Sequence, residues 1–155
     1  MAFCIWRRGK MTTEKIRLAN KKDSDKILAL LNSDSNLHGS KEDRATKSDV
    51  KQYLTDNVHR VYVYEYNKKV VAVMVAQFFK IAKYIYLYYI SVDKNYQKRG
   101  IASKLIKNLE SAARKEGYYL IELLIKQKNY KIKNFMKKIN YKFGDKYLFY
   151  YKILK

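Results

Sequence analysis

Residues 92–103 read Val-Asp-Lys-Asn-Tyr-Gln-Lys-Arg-Gly-Ile-Ala-Ser, and they are the main basis for the fold that we predict. It is a basic turn between an apolar, strand-like run and an amphipathic, helix-like run. The first N–H groups of a helix have no intrahelical partner and lie at the positive end of the helix dipole. A strand-to-helix turn with Lys98 and Arg99 should therefore attract an anion, and Gly100 lets the backbone approach it closely. The pattern predicts a phosphate cradle; a loop of solvated charges is the alternative.

Two motifs in the chain resemble those of one known family. The hexad Gln97 to Ala102 resembles the Gln/Arg-x-x-Gly-x-Gly/Ala signature of the Gcn5-related N-acetyltransferases, the GNAT superfamily. Further along, Asn129 to Tyr141 resembles the family's second motif, Asn-x-x-Ala-x-x-Phe-Tyr-x-x-x-Gly-Phe, with matches at Asn129 and Phe135. The departures are Ile132 for the alanine, Met136 for the tyrosine, Asn140 for the glycine and Tyr141 for the closing phenylalanine.

The resemblance spans residues 14–153, is strongest over 84–143, and implies a fold. That fold is α/β with a mixed α+β sheet, the acyl-CoA N-acyltransferase-like GNAT fold of six to seven strands and four helices. Its fourth and fifth strands, here 84–92 and 119–125, splay apart so that the pantetheine arm of the cofactor inserts between them. We expect a single domain over residues 14–155 and an N-terminal extension over 1–13, where residues 1–10 either have no role in the fold or pack back on it.

The same resemblance implies acetyl-coenzyme A as the cofactor, with its pyrophosphate on the main-chain amides of the turn. The cofactor-binding residues that it implies lie on the fourth strand, in the turn and on the last helix. They are Ile90, Ser91, Val92, Gln97, Lys98, Arg99, Gly100, Ile101, Ala102, Ser103, Asn129, Lys133, Phe135 and Met136. Asn129 also suits a helix N-cap.

Acetyl transfer to an amine requires a neutral nitrogen, a donor for the developing oxyanion and an acid for the leaving thiolate. A lysine-like amine, with a pKa near ~10.4, is almost wholly protonated at neutral pH, so it must lose a proton first. Glu122 and Glu65 are the candidate bases. The family places the oxyanion donor on the backbone of the fourth strand, here around Ile90 to Val92, where one donor is worth roughly 3 kcal/mol.

The leaving-group acid is the departure from the family pattern. Many members use the tyrosine of the Phe-Tyr pair, and Met136 stands in that place with no proton to give. Three explanations stay open: another tyrosine serves, with Tyr130 the first candidate and Tyr88 the second; water protonates the thiolate; or catalysis is lost. The third makes a non-catalytic acyl-coenzyme A binding module the alternative to an N-acetyltransferase that transfers directly in a ternary complex.

Composition limits the other function classes. A chain of 155 residues is the size of one domain. One cysteine, Cys4, allows no internal disulfide framework, and two histidines give no metal-ligand spacing, so we expect a metal-free protein in a reducing compartment. The longest apolar run, near Val70 to Phe79, is too short to span a bilayer. We expect a soluble, cytoplasmic protein, with the nucleus possible and no membrane partner.

The net charge of +20 favours binding to polyanions. Nucleic acid is one such partner, and a basic nucleic-acid-binding protein is the third function that we consider. Against it, the lysines are spread along the whole chain, and abundant Lys, Asn, Tyr and Ile without Pro is typical of a genome rich in A and T. Coenzyme A is itself a polyanion.

The segment of residues 23–56 is less basic than the rest of the chain. Residues 23–56 contain seven acidic and five basic side chains. In the family this segment walls the acceptor, so an acidic patch would favour a cationic amine such as a polyamine, a lysine side chain or a protein N-terminus. A chance distribution of charges is the alternative. The expected partners are thus a small-molecule or protein amine, with a homodimer possible.

Hydrophobic periodicity predicts the order of elements. We expect a strand at 16–19, a helix at 23–33 capped by Asp23, and a short helix opened by Ser48. Strands at 60–66, 70–79 and 84–92 should follow as consecutive antiparallel neighbours, then a helix from Ile101 that stops at Gly117. A buried strand at 119–125 should pair in parallel with 84–92, followed by a helix around 132–139 and a closing hairpin of 141–143 with 147–154.

Overall fold

A computed structural model of the chain describes residues 2–7, 10–33 and 44–145, and the side chains from residue 12 onward within those ranges. Its strands and helices follow in the order β1 (Ala2–Arg7), β2 (Lys10–Leu18), α1 (Ser24–Leu31), α2 (Lys47–Thr55), β3 (His59–Tyr66), β4 (Lys69–Phe79), β5 (Tyr84–Val92), α3 (Ile101–Lys115), β6 (Leu120–Glu122) and α4 (Tyr130–Lys138). The mixed-sheet fold class predicted from the sequence is confirmed.

The described strands form one six-stranded sheet in the order β1-β2-β3-β4-β5-β6. Neighbours are antiparallel from β1 to β5, and β5 pairs with β6 in parallel. The hairpin of β3 and β4 and the antiparallel β4–β5 pair are therefore confirmed, as is the parallel unit with α3 as its connection. The turn between β5 and α3 lies at the carboxyl end of β5, where ligand sites of α/β sheets occur.

The beginning of the chain is part of the sheet. β1 pairs with β2 from Ala2 opposite Lys15 to Arg7 opposite Lys10. For residues 2–7, this pairing agrees with the second of the two alternatives, in which the segment packs back on the fold. β2 also begins at Lys10, earlier than the strand predicted at 16–19 and before the extension predicted over residues 1–13 ends.

The two faces of the central strands carry different helices. Alternate residues of a strand point to opposite faces, so Val61, Val63, Val73 and Val75 share one face. They form a buried core with the apolar side chains of α1 and α2. The other face, which includes Tyr64, carries α3, whose side chain Lys104 bonds to Tyr64. The apolar stripe of α3, predicted from its periodicity, is buried as expected.

Local hydrogen bonds explain the starts of the first two helices. Thr46 and Asp49 form a capping box, in which each side chain accepts from the other residue's backbone N–H, so α2 begins at Lys47 rather than at Ser48. Asp23 does not cap α1, contrary to our prediction. Its carboxylate instead accepts from the Asn20 amide and from Arg17, and a 3-10 turn at Lys21–Asp23 precedes α1.

The predicted buried strand over 119–125 is wrong in length and in burial. β6 covers only Leu120–Glu122. Tyr119 is 77% exposed and Leu120 is 42% exposed. The apolar run was interpreted as the interior of a sheet, but among the described strands β6 lies beside β5 alone and pairs with it over three residues. A strand paired so briefly need not be buried.

Contacts divide the chain into two compact units, Met1–Leu123 and Leu124–Lys155. The first contains the sheet, α1, α2 and α3. The second contains α4, where the Asn129 side chain caps the helix by accepting from the Ile132 amide over 3.2 Å. Residues 141–145 are neither helix nor strand, and the second arm of the predicted closing hairpin, 147–154, lies outside the described residues.

Candidate functional site

The turn between β5 and α3 is closed by its own hydrogen bonds. Asp93 accepts from the Asn95 amide over 3.1 Å, and the Tyr96 amide donates to the Asp93 carbonyl over 2.8 Å. The Gln97 side-chain amide donates to the Val92 carbonyl over 3.0 Å. Gln97, predicted from the sequence as a cofactor-binding residue, thus has a side chain that fixes the turn's shape.

The turn leaves its main chain open at the start of α3. Lys98 and Gly100 both have positive φ, 60° and 76°. Gly100 occupies the N-cap position, where it has no side chain to cap the helix. The first turn of α3, Ile101 to Lys104, is described in full and contains no acidic residue. The positive end of the helix is therefore not offset by a carboxylate of its own first turn, and this favours an anion there.

Space above Gly100 is consistent with a ligand at that point. A Cβ built on Gly100 would meet no heavy atom of the described residues within 4 Å. Lys98 and Arg99 are exposed beside it. The Arg99 guanidinium lies 5.0 Å from the ring centre of Tyr96 and donates to the Asn95 carbonyl over 3.0 Å. Ile101 is buried and anchors the helix start, whereas Ala102 and Ser103 are half-buried.

β5 and β6 pair only at their beginnings. Tyr84, Ile85 and Tyr86 lie opposite Leu120, Ile121 and Glu122, and the pairing ends there. The rest of β5, from Leu87 to Val92, continues along β4 without a β6 partner. This is the divergence that the family resemblance implied for these two strands.

The register of β5 shows which amides face the divergence. The Asp93 amide donates to the Val71 carbonyl on β4 over 2.9 Å. Backbone groups alternate in direction along an antiparallel strand, so Ser91 also bonds toward β4, and the N–H groups of Ile90 and Val92 point to the opposite edge. Of the three predicted residues, Ile90 and Val92 therefore present backbone donors on the side where β6 has ended. The Ser91 hydroxyl is buried and donates to the Leu30 carbonyl over 2.7 Å.

A β-bulge lies on β5 just after its pairing with β6 ends. Val75 lies opposite Tyr89 and Ala76 opposite Leu87, so Tyr88 is an additional residue without a register partner on β4. Bulges re-aim a side chain and often occur next to functional sites. Tyr88 is 42% exposed.

Aromatic rings gather around this bulge. We call this group the tyrosine cluster; its members are Tyr53, His59, Tyr86, Tyr88 and Tyr89. Ring centres are 4.9 Å apart for Tyr53 and His59, 5.7 Å for His59 and Tyr88, and 4.8 Å for Tyr86 and Tyr88. Burial raises the pKa of the Tyr53 hydroxyl above its usual range, and neighbouring Tyr89 adds to the effect. Tyr53 therefore stays protonated at neutral pH.

His59 is held by a carboxylate. Its Nδ1 lies 2.6 Å from Oδ2 of Asp56, and its side chain is 8% exposed. The other Asp56 oxygen accepts from the amides of His59 and Val58 over 2.8 and 3.1 Å. Partial burial opposes ionisation of Asp56, but these hydrogen bonds outweigh it and hold its pKa below the usual value. The sequence analysis considered His59 only as a possible metal ligand and missed this pair. The spacing Asp56-x-x-His59 was the signal that could have indicated a hydrogen bond between the two side chains.

A second polar group links α3 to the sheet. Glu14 on β2 accepts from the Tyr64 hydroxyl over 2.5 Å and from the Lys104 ammonium, which also donates to the Tyr64 oxygen over 3.1 Å. Burial, reinforced by Glu14, raises the pKa of Tyr64. This group fixes the start of α3, and with it the turn that precedes the helix, against β2 and β3.

The predicted acid and base residues lie in different places. Tyr88 belongs to the tyrosine cluster, and Glu122 is exposed at the end of β6, opposite Tyr86. Glu65 is bound by Arg17 over 2.6 Å, so it serves an ion pair. Tyr130 is on α4, 67% exposed, with the Lys133 ammonium 5.3 Å from its ring centre. Phe135 is half-buried and Met136 buried on the same helix.

Three of the acidic side chains of residues 23–56 have local partners. Asp23 pairs with Arg17 over 2.7 Å, Asp49 caps α2, and Asp56 holds His59. The acidic patch predicted from composition is thus at least partly a set of structural carboxylates. Among the described residues, no group of three or more His, Cys, Asp or Glu side chains could hold a metal ion, and none of the helices is long and apolar enough to cross a membrane.

Comparison with known proteins identifies the family. The model of the acetyltransferase (GNAT) family matches residues 25–141, most of the chain. The chain therefore belongs to the GNAT family, as its two motifs indicated. No protein with a curated description matches the sequence.

Solved structures with low sequence identity share the fold. A possible acetyltransferase from Clostridium difficile 630 is 21% identical with a TM-score of 0.78, over 92% of this chain and 99% of that one. AAC(6′)-Iy, solved with a bisubstrate analogue of coenzyme A and acetylneamine, is 16% identical with a TM-score of 0.77, over 91% and 99%. The ribosomal-protein-S18-alanine N-acetyltransferase from Escherichia coli is 16% identical with a TM-score of 0.69, over 82% and 76%.

Proposed function

We propose that the protein is an acetyl-coenzyme A-dependent N-acetyltransferase that transfers an acetyl group directly to a primary amine. The observation that carries this proposal is the pairing of an open helix start at Gly100 with the divergence of β5 from β6 in a chain of the GNAT family. Acetyl-coenzyme A, when bound, supplies the acetyl thioester. The amides of Arg99 to Ser103 would hold its diphosphate, and Lys98 and Arg99 would add charge.

The residues present fit such a cofactor on two independent grounds. The first is the anion site at the start of α3, with open space at Gly100. The second is the pair of outward-facing N–H groups of Ile90 and Val92, for which the amide carbonyls of a pantetheine arm are suitable acceptors; the Val92 carbonyl already accepts from Gln97. One of these two N–H groups would also be the donor to the acetyl carbonyl, as expected for a main-chain oxyanion site.

For the thiolate, Tyr88 is the acid that we propose to test first. It lies on β5 at the bulge, within the same unit as the turn and the divergence. Tyr130 on α4 stays a candidate, and so do Glu122 as a base and Asn129, Lys133, Phe135 and Met136 as cofactor contacts. The acceptor is a small-molecule or protein amine; the structural neighbours include AAC(6′)-Iy and a protein N-acetyltransferase.

A non-catalytic acyl-coenzyme A binding module is the second candidate, because Met136 replaces the tyrosine that many family members use as acid. Two measurements on the full chain separate the candidates. Calorimetry with acetyl-coenzyme A tests binding, and release of free thiol with a panel of primary amines tests turnover. We expect both signals. Binding without thiol release for any amine supports the module, and no binding contradicts both candidates.

A further inference from the structure

We propose that His59 is the general base that removes the proton from the acceptor amine, with Asp56 as its positioning residue. This inference rests on the proposed function. It assigns the deprotonation step, for which the sequence analysis named Glu122 and Glu65, to His59 of the tyrosine cluster and its partner Asp56.

The hydrogen bond to Asp56 fixes which ring nitrogen is basic. The low pKa of Asp56 means that its carboxylate is ionised at neutral pH and can only accept. Nδ1 of His59, 2.6 Å away, must therefore carry the proton in the neutral ring. Nε2 is then the acceptor, and the carboxylate stabilises the imidazolium that forms when Nε2 takes a proton.

The surroundings of His59 connect its ring to β5, the strand that borders the divergence. The His59 ring contacts Tyr88, the bulge residue of β5, with ring centres 5.7 Å apart. Tyr86, the last residue of β5 opposite β6, contacts Tyr88 in turn. Two residues beyond Tyr88 is Ile90, whose amide faces the divergence. A proton released by an amine at this point reaches His59 through a water or hydroxyl group held at Tyr88.

The cluster also suits a protonated amine as the incoming group. Tyrosine rings attract cations through their faces, and Glu122 lies opposite Tyr86 at the end of β6. The described groups that contact the His59 ring are Asp56, Tyr53 and Tyr88, and burial keeps the Tyr53 hydroxyl protonated.

The reaction balances with one proton on His59. The ammonium form of the acceptor gives one proton to Nε2 and becomes a neutral amine. Its nitrogen then bonds to the acetyl carbon while the carbon–sulfur bond breaks. The second proton of that nitrogen ends on the departing sulfur as a thiol, and His59 returns its own proton to solvent.

The test is the pH dependence of thiol release for His59→Gln, with spermidine and a lysine peptide as probe amines. We expect kcat to fall by about 100-fold or more, within the range for loss of a general base. The wild-type kcat/KM should rise with pH and then level off, whereas that of His59→Gln should keep rising as more free amine forms. Affinity for acetyl-coenzyme A should be unchanged by calorimetry.

Two further variants keep the result interpretable. Asp56→Asn keeps an oxygen for the backbone amides but loses the charge, so it should lower kcat less than His59→Gln does. Glu116→Gln is the control. It breaks the ion pair between Glu116 and Arg60, the residue next to His59 on β3, whose side chain points to the other face of the sheet. This variant should leave the pH profile unchanged. Wild-type turnover with an unchanged profile in His59→Gln would overturn this inference alone. Absence of turnover in the wild type, with cofactor binding intact, would overturn the proposed enzyme itself.

Discussion

The Lys104 amide donates to the Gly100 carbonyl over 3.0 Å, the first main-chain hydrogen bond of α3. The N–H groups of the three residues between them have no partner within the helix. Because the Lys104 side chain is bound to Glu14 and Tyr64, the helix start is fixed to the sheet at the same residue. The proposed anion site is therefore a rigid piece of backbone rather than a mobile loop of charged side chains.

Gly100→Val should weaken acetyl-coenzyme A binding. A side chain at this position would occupy the space through which a diphosphate approaches the helix start, so we expect at least a tenfold rise in Kd by calorimetry. The new residue must also adopt a positive φ, which costs about 1–2 kcal/mol of stability.

Gly117→Val is the matched control. Gly117 has a φ of 74°, close to the 76° of Gly100, and a Cβ there would likewise meet nothing within 4 Å among the described residues. It follows the other end of α3. The control should show the same loss of stability with unchanged affinity. Equal affinities for the two variants would count against the cradle.

Acid should weaken the fold through Asp23. The Arg17 guanidinium holds the pKa of this buried carboxyl below its usual value. A depressed pKa in the folded state means stabilisation that is complete above the ordinary aspartate value of about 3.9 and is lost as pH falls through the folded value. Asp23→Asn should therefore lower the free energy of unfolding by about 2 kcal/mol at pH 7, and this difference from the wild type should shrink below about pH 4.

Urea titrations across this pH range measure the effect. Asp25→Asn is the control. Asp25 lies two residues after Asp23, in the first turn of α1, and is exposed; its substitution removes the same charge. It should change stability little at any pH. A difference between wild type and Asp23→Asn that stays constant down to pH 2 would show that the ion pair is not its cause.

The β5 turn and its neighbours could be predicted from the sequence because their signals are local. Gly100 and the apolar stripe of α3 lie within one short segment, and the hairpin of β3 and β4 follows from its composition. The tyrosine cluster could not be predicted, because it depends on the bulge at Tyr88 and on which face each strand presents. The Asp56–His59 pair is local, and its spacing was the one signal for it. The length and burial of β6 were predicted wrongly, because an apolar run of sequence does not show over how many residues a strand pairs with its neighbour.

Tyr88→Phe should lower kcat by about tenfold or more, since it removes one hydroxyl from the bulge and keeps the ring. Thiol release with saturating acetyl-coenzyme A and spermidine measures it, and cofactor affinity should not change. The same substitution at Tyr130 should have the smaller effect. A loss of turnover confined to Tyr130→Phe would place the acid on α4 instead.

Met136→Tyr should preserve or raise turnover, because it restores a hydroxyl at the position where many family members have their acid. Met136 is buried, so a thermal-unfolding curve must accompany the kinetics to show that the larger ring is accommodated. A large fall in kcat in a stably folded variant would mean that the pocket is built around methionine and that the tyrosine's role has moved elsewhere.

A crystal structure of the full chain grown with acetyl-coenzyme A would show whether the main chain at the start of α3 holds the diphosphate. We expect diphosphate oxygens at about 3 Å from main-chain nitrogens between Arg99 and Ser103, with the pantetheine arm along Ile90 and Val92. Well-defined cofactor bound elsewhere, with the start of α3 occupied by water or a packed side chain, would contradict it.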